Sequence, residues 1–298
     1  MNVKLSDSWL LFILFILTIL TWSINWPIMA IGIKSMPEIW YASARLLLSV
    51  AIIFLWMIAR GTLIIPKKKD IPLILSLGFL QIGVYMTLII ISLKLVGASR
   101  TVILSYTTLL WTTPIAIGVF GEQLSKRKFL GILLALIGII VYFNPFEFNW
   151  HNSKMVVGGL LSIIASICWA TAILHARYGR WHTAPAKLFP WQVLAAAIPV
   201  TIAALILEPH AVVHWRPSLI ESLFFSSIFA TIFAWWAMIV VSRHLPNTVT
   251  SLGILAVPVL TILLSVLILH EHLTANVYIA IAIIVTGLML VTVRRVKI

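Results

Sequence analysis

Ten times along this chain a run of about twenty apolar residues is interrupted only by a short polar or basic break. A hydrocarbon layer about 30 Å thick is crossed by about 20 helical residues, so this pattern restricts the fold more than any other. The runs are Trp9–Ala30, Ile39–Ala59, Ile71–Leu93, Val102–Phe120, Phe129–Phe146, Met155–Ile173, Leu188–Leu207, Leu219–Val241, Thr248–Leu269 and Ala275–Val293. Backbone groups find no water in lipid and must pair within the segment, which predicts helices. The breaks leave no room for a soluble domain, and the runs lack the ten-residue alternation of an outer-membrane barrel. At 62% hydrophobic and 10% charged, the chain carries more apolar surface than a water-soluble fold can cover.

A formal charge of +13 would ordinarily suggest a nucleic-acid partner. Here the basic residues sit in the breaks and form no stripe, so the expected partner is the bilayer and no nucleic acid. Counted by alternate sides, fifteen Lys and Arg fall with the two termini and five on the opposite side, with Arg45 alone inside a run. The positive-inside rule then predicts cytoplasmic termini. The first run lacks a small-residue cleavage motif and is read as an uncleaved helix. Cys168, the only cysteine, has no internal partner for a disulfide.

Two acidic residues fix a repeat. Glu122 in "GEQLSKRKFLG" and Glu271 in "HEHLT" each follow an apolar run and lie 149 residues apart. The same offset pairs Leu124 with Leu273, Ser125 with Thr274, Gly138 with Gly287 and Thr101 with Thr250. "CWA" at 168–170 resembles "TWS" at 21–23, and Pro185 parallels Pro37. The chain divides into five-helix units at 1–148 and 149–298. Five is odd, so the second unit enters the bilayer inverted. The expected fold is an all-α polytopic membrane protein of ten helices, two inverted repeats around a central cavity. That architecture suits alternating access.

These motifs resemble the drug/metabolite transporter superfamily of the EamA type. The resemblance covers nearly the whole chain and rests on "GEQLSKRKFLG", on Pro258 followed by "HEHLT", on "WSINWP" at 22–27 and on Arg45 in "YASARLLL". "YTTLLW" and "FPWQ" are similar to bacterial exporters of aromatic amino acids. The resemblance implies a transporter of a small metabolite, amino acids or related amphipathic solutes, acting outward in a bacterial inner membrane. Two departures bear on local geometry: Leu109 stands where Pro258 stands in the second unit, with Pro114 five residues on, and His270 replaces the glycine before Glu271.

Polar and aromatic side chains at helical spacing mark the candidate site. Trp22 and Asn25 share a face of the first helix with Thr18 and Thr21; Gln81 and Tyr85 share one of the third with Ser92. Trp169 follows Ser162 and Ser166 in the sixth helix, and Trp235 follows Ser227 and Thr231 in the eighth. Tyr106, which opens "YTTLLW", and Trp191 with Gln192, early in the seventh helix, complete the cavity candidates. Serine and threonine are expected mainly to join helices. Arg45 has two readings, contact with cargo or gate and a structural or interfacial role, such as snorkelling to the outer interface. Pro114 and Pro258 are expected to permit bending. Glu122 and Glu271 are expected to accept backbone donors at the start of the next helix.

No nucleophile, base or metal set is legible. His210 and His214 with Glu208, and His270 with His272, lack a full ligand set. No metal, cofactor or enzymatic activity is therefore expected, a small-molecule substrate is, and monomer and homodimer both stay open. A lipid scramblase and a membrane enzyme are the rival classes.

Overall fold

The computed structural model describes residues 8–121, 125–143, 152–245, 247–273 and 275–292, and within them each of the ten runs forms a helix. The helices are α1 (Ser8–Gly32), α2 (Glu38–Ala59), α3 (Lys68–Val96), α4 (Ala98–Phe120) and α5 (Lys126–Phe143), followed by α6 (Ser153–Tyr178) and α7 (Pro185–Leu207). Then come α8, running from Pro217–Phe224 into Ala234–His244, α9 in two pieces (Asn247–Ile254 and Ala256–Leu269), and α10 (Ala275–Thr292). Seven are long and apolar enough to cross a membrane, and Phe129–Val141, Ala256–Leu269 and Ala275–Gly287 are shorter apolar helices. Leu55, Leu133, Ile206 and Leu267 are exposed on the outside of the bundle, as side chains facing lipid tails should be. The protein is an all-α, multi-pass membrane protein.

Local chemistry sets the helix ends. Pro185 and Pro217 open α7 and α8, where the missing N–H would have had no partner. α4 ends on Gly121 (φ 67) and α9 on His270 (φ 53), both left-handed. Gly121 and His270 are 149 residues apart, so the glycine's sequence mate adopts its conformation without being glycine.

Three further irregularities repeat at this spacing. α3 widens into a π turn over Ser76–Val84 and α8 over Phe225–Phe233. α4 breaks at Tyr106 and α9 at Leu255. Gly138 and Gly287 face each other's helices where α5 and α10 pack together. A Cβ on Gly287 would lie 2.7 Å from the Ala135 nitrogen and the Gly131 oxygen.

The two breaks have different causes. In α9, Pro258 has no N–H to offer the Ile254 carbonyl. In α4 the corresponding Leu109 is no proline, and side-chain hydroxyls take over. Ser166 donates to the Leu104 and Ser105 carbonyls (2.9 and 3.1 Å), Thr107 to Leu104 (2.6 Å) and Thr108 to Ser105 (2.8 Å). Pro114 sits further on, within the continuous second part of α4.

Candidate functional site

The π turn of α8 is held by α1 and α2. A π turn disrupts the i→i+4 ladder and leaves carbonyls to be satisfied elsewhere. Ser226 O accepts from Arg45 Nη2 (3.3 Å) and from Thr231 (2.8 Å); Ser227 O accepts from Ser49 (3.2 Å); Ala230 O accepts from Trp22 Nε1 (3.2 Å). Tyr41 hydrogen-bonds Ser222 (2.6 Å) and Ser226 (3.1 Å), and Ser226 donates to Asn25 Oδ1 (2.8 Å). These bonds fix the orientation of Trp22 and Asn25 on α1 and of the segment of α8 that carries Trp235, two residues beyond the π turn.

The orientation matters because those side chains border a cavity of about 290 Å³. It is lined by α1, α3 and α4 of the first half and by their mates α6, α8 and α9 of the second. That volume matches about ten water molecules, near the lower end of small-molecule sites. Its wall is largely aromatic. Trp22 meets Trp235 edge-on at 6.1 Å, Trp235 lies 5.8 Å from Trp169, and Trp169 meets Tyr85 at 4.3 Å. Phe189 of α7 stacks behind Trp235 at 6.0 Å. Polar character comes from Asn25, Ser105, Thr108, the Tyr85 and Tyr106 hydroxyls, and Gln81, whose amide has no side-chain partner among the described residues. Such a surface can sandwich a flat apolar body and hydrogen-bond one polar end.

Seven sequence candidates therefore line one cavity: Trp22, Asn25, Gln81, Tyr85, Tyr106, Trp169 and Trp235. Arg45 stands one layer behind. It is 1% exposed, so it does not snorkel to an interface, because α8 covers it. Trp191 and Gln192 lie elsewhere. Trp191 donates to the Ile64 carbonyl (2.9 Å) and meets Phe54 edge-on, and Gln192 is buried where α7 crosses the π turn of α3. Met29, Met86 and Trp26 line the cavity without having been singled out; plain apolar residues on a helix carry no signal that separates cavity from core. Serine works as helix glue: Ser92 hydrogen-bonds Ser162 (2.7 Å) and the Gly158 carbonyl (2.8 Å). Among the described residues no three His, Cys, Asp or Glu approach closely enough to hold a metal.

Glu271 corrects an expectation. It accepts from the backbone N–H groups of Ala98 (2.7 Å) and Ser99 (3.1 Å), which open α4 in the other half and do not belong to the next helix. Four unpaired donors and the positive end of the helix dipole make that terminus a good carboxylate site. Gly97 permits the approach: its φ is 86, and a Cβ there would stand 2.8 Å from Glu271 Oε1. Glu208, at the end of α7, accepts likewise from Ile39 (3.2 Å) and Trp40 (3.0 Å) at the start of α2. Glu122 lies outside the described residues.

Comparison with known proteins agrees with this architecture. The model of the EamA-like transporter family matches the chain twice, at residues 9–144 and 156–293. The chain is 28% identical to a probable amino-acid metabolite efflux pump of Escherichia coli (strain K12), over 93% of this chain and 92% of that one. It is 22% identical to the uncharacterized transporter YoaV of Bacillus subtilis (strain 168), over 92% and 93% respectively. A solved crystal structure, 22% identical, superposes with a TM-score of 0.63 over 94% of this chain and 95% of the other, and shares the fold.

Proposed function

The chain belongs to the EamA-like transporter family, and from that premise we propose that it carries a small amphipathic metabolite, an amino acid or close relative, outward across a bacterial inner membrane by alternating access. One observation carries the reading: the aromatic-walled cavity is built by three helices from each half. A site shared by two inverted halves changes its exposure when the halves rock. Its size and its mixture of rings with a few amides and hydroxyls suit a solute with an apolar body and a polar end. The relationship to a probable amino-acid metabolite efflux pump favours amino acids and export.

Both termini are assigned to the cytoplasm from the excess of Lys and Arg on their side. On that assignment Glu271 and Glu208 both bind helix starts at the outer ends of the bundle. On the outer side of the cavity Met29 and Ile89 are buried, whereas Ile173, Met238 and Ile254 toward the inner side are half-buried. We read this difference in burial as support for an inward-facing carrier.

Purified protein in liposomes, screened with amino acids, nucleosides, sugars and drugs with and without a pH gradient, tests the proposal. Saturable flux of an amino acid or similar amphipathic solute is expected. Lipid flip-flop without solute flux would overturn it in favour of a scramblase.

A further inference from the structure

Arg45 is a guanidinium sealed inside the bundle with no ion-pair partner among the described residues. The described acidic residues are engaged or placed elsewhere: Glu38 pairs with Lys94, Asp70 with His182, Glu208 and Glu271 bind helix starts, and Glu221 is exposed. Its five N–H groups meet only neutral atoms. Nη2 donates to Ser226 O (3.3 Å) and Thr231 Oγ1 (2.9 Å), Nη1 to the thioether sulfurs of Met29 (3.0 Å) and Met86 (3.7 Å), and Nε has no acceptor. Thioethers are weak acceptors, and burying a cation without a counter-charge costs several kcal/mol. Such a group is retained where an anion completes it.

An anion in the central cavity would have a route to Arg45. Arg45 borders a pocket of about 10 Å³ whose wall shares Gln81, Met86, Trp169 and Trp235 with the main cavity. That space is about one water-sized probe. Met29 and Met86 stand between guanidinium and cavity, and methionine is the apolar side chain that repacks most readily. Resting on the carrier reading above, we propose that Arg45 is the anion-recognition residue of the central cavity, binding the carboxylate of an aromatic or otherwise bulky apolar carboxylic acid when the two methionines move aside. The guanidinium fork takes a carboxylate in bidentate fashion, the rings hold the apolar body, and Gln81 supplies a neutral hydrogen bond beside the charge. The competing reading keeps Arg45 as a brace for the π turn of α8, with no contact to cargo.

Two probes of equal reach separate the readings: 3-phenylpropanoate and 3-phenylpropan-1-ol, titrated calorimetrically into the purified full-length protein. Wild type is expected to bind the carboxylate at least about tenfold more tightly, as for a hydrogen bond to a charged group. Arg45→Gln is expected to erase that preference, read as the ratio of the two affinities within the variant. Equal affinities in wild type, no binding of either probe, or an undiminished preference in Arg45→Gln would each overturn the inference. The wild-type comparison decides even where the variant fails to fold. Solute flux without carboxylate preference would sink this inference and spare the carrier reading; carboxylate-selective binding without flux of any solute would do the reverse.

Discussion

The two halves share a backbone plan but not its chemistry, as the mates α3 and α8 show most clearly. Both widen into a π turn at the same place, 149 residues apart. In α8 the wide turn is met from α2 by side chains, with Arg45, Tyr41 and Ser49 satisfying or bonding its polar groups. In α3 it is met by main chain, for Gly78 lies directly against the Gln192 carbonyl of α7. An irregular backbone can thus be kept by two unrelated means. Duplication supplies two similar walls to the cavity, and divergence leaves Arg45, among the described residues, as the charge behind one of them.

Substitutions at mated positions probe that comparison. Gly287→Val should be the most damaging, because its side chain meets the backbone of α5, which cannot rotate away. A loss above about 3 kcal/mol, beyond the usual range for overpacking, is expected and would be read as collapse of the monodisperse peak in size-exclusion chromatography. Gly138→Val should do less harm, since the first atom met is the Ile284 side chain at 2.6 Å; equal damage at both sites would mean the seam is symmetric after all. Glu271→Ala should cost roughly 2 kcal/mol, from two charge-assisted bonds in a partly solvated setting, visible as a lower Tm in detergent. The same change at Glu122 asks whether the opposite end of the bundle is held by the same device.

Smaller effects sharpen the comparison further. His270→Gly should stabilise by about 1 kcal/mol, because a left-handed non-glycine residue is strained, and Gly121→His should lose about as much. No atom lies within 4 Å of a Cβ built at Gly121, so only conformation is being tested; a Tm unchanged in both variants would break the parallel. Ser92→Ala should cost least, about 0.6 kcal/mol for hydrogen bonding between membrane helices, measured by the same thermal melts.

The ten helices were legible because lipid imposes one length and one composition on every span. α2, expected at Ile39–Ala59, spans Glu38–Ala59, and α7, expected from Leu188, starts one turn earlier at Pro185. The repeat was legible because the residues around Glu122 recur around Glu271 at one offset, and the family matches twice, at residues 9–144 and 156–293. The break at Tyr106 was not legible. Nothing near it is glycine or proline; the local hydroxyls of Thr107 and Thr108 look like any others in a span, and the third that bonds the same carbonyls belongs to Ser166, more than sixty residues away. The cavity residues Trp22, Asn25 and Trp169 stood out as large polar or aromatic groups deep in apolar runs. Trp191 stood out equally and serves a loop carbonyl instead, since a span pattern does not tell the inward face from the rim. Arg45 was conspicuous as a charge, but its covering comes from α8, which the sequence of α2 does not contain.

The π turns have a consequence best put in terms of phase. Along α3 the buried positions Leu73, Leu77, Gln81, Tyr85 and Ile89 recur every four residues, and along α8 so do Ser222, Ser226, Ala230 and Ala234. A regular α-helix advances about 100° per residue, so each step of four would slip about 40°. Over four steps such a ladder would wander from one side of the helix nearly to the other. The widened turn slows the winding across the middle of the membrane and cancels much of that slip. Deleting one residue from Phe225–Phe233 would therefore throw the two ends of α8 out of step, turning Trp235 away from the rings it meets while leaving the composition of the helix almost untouched.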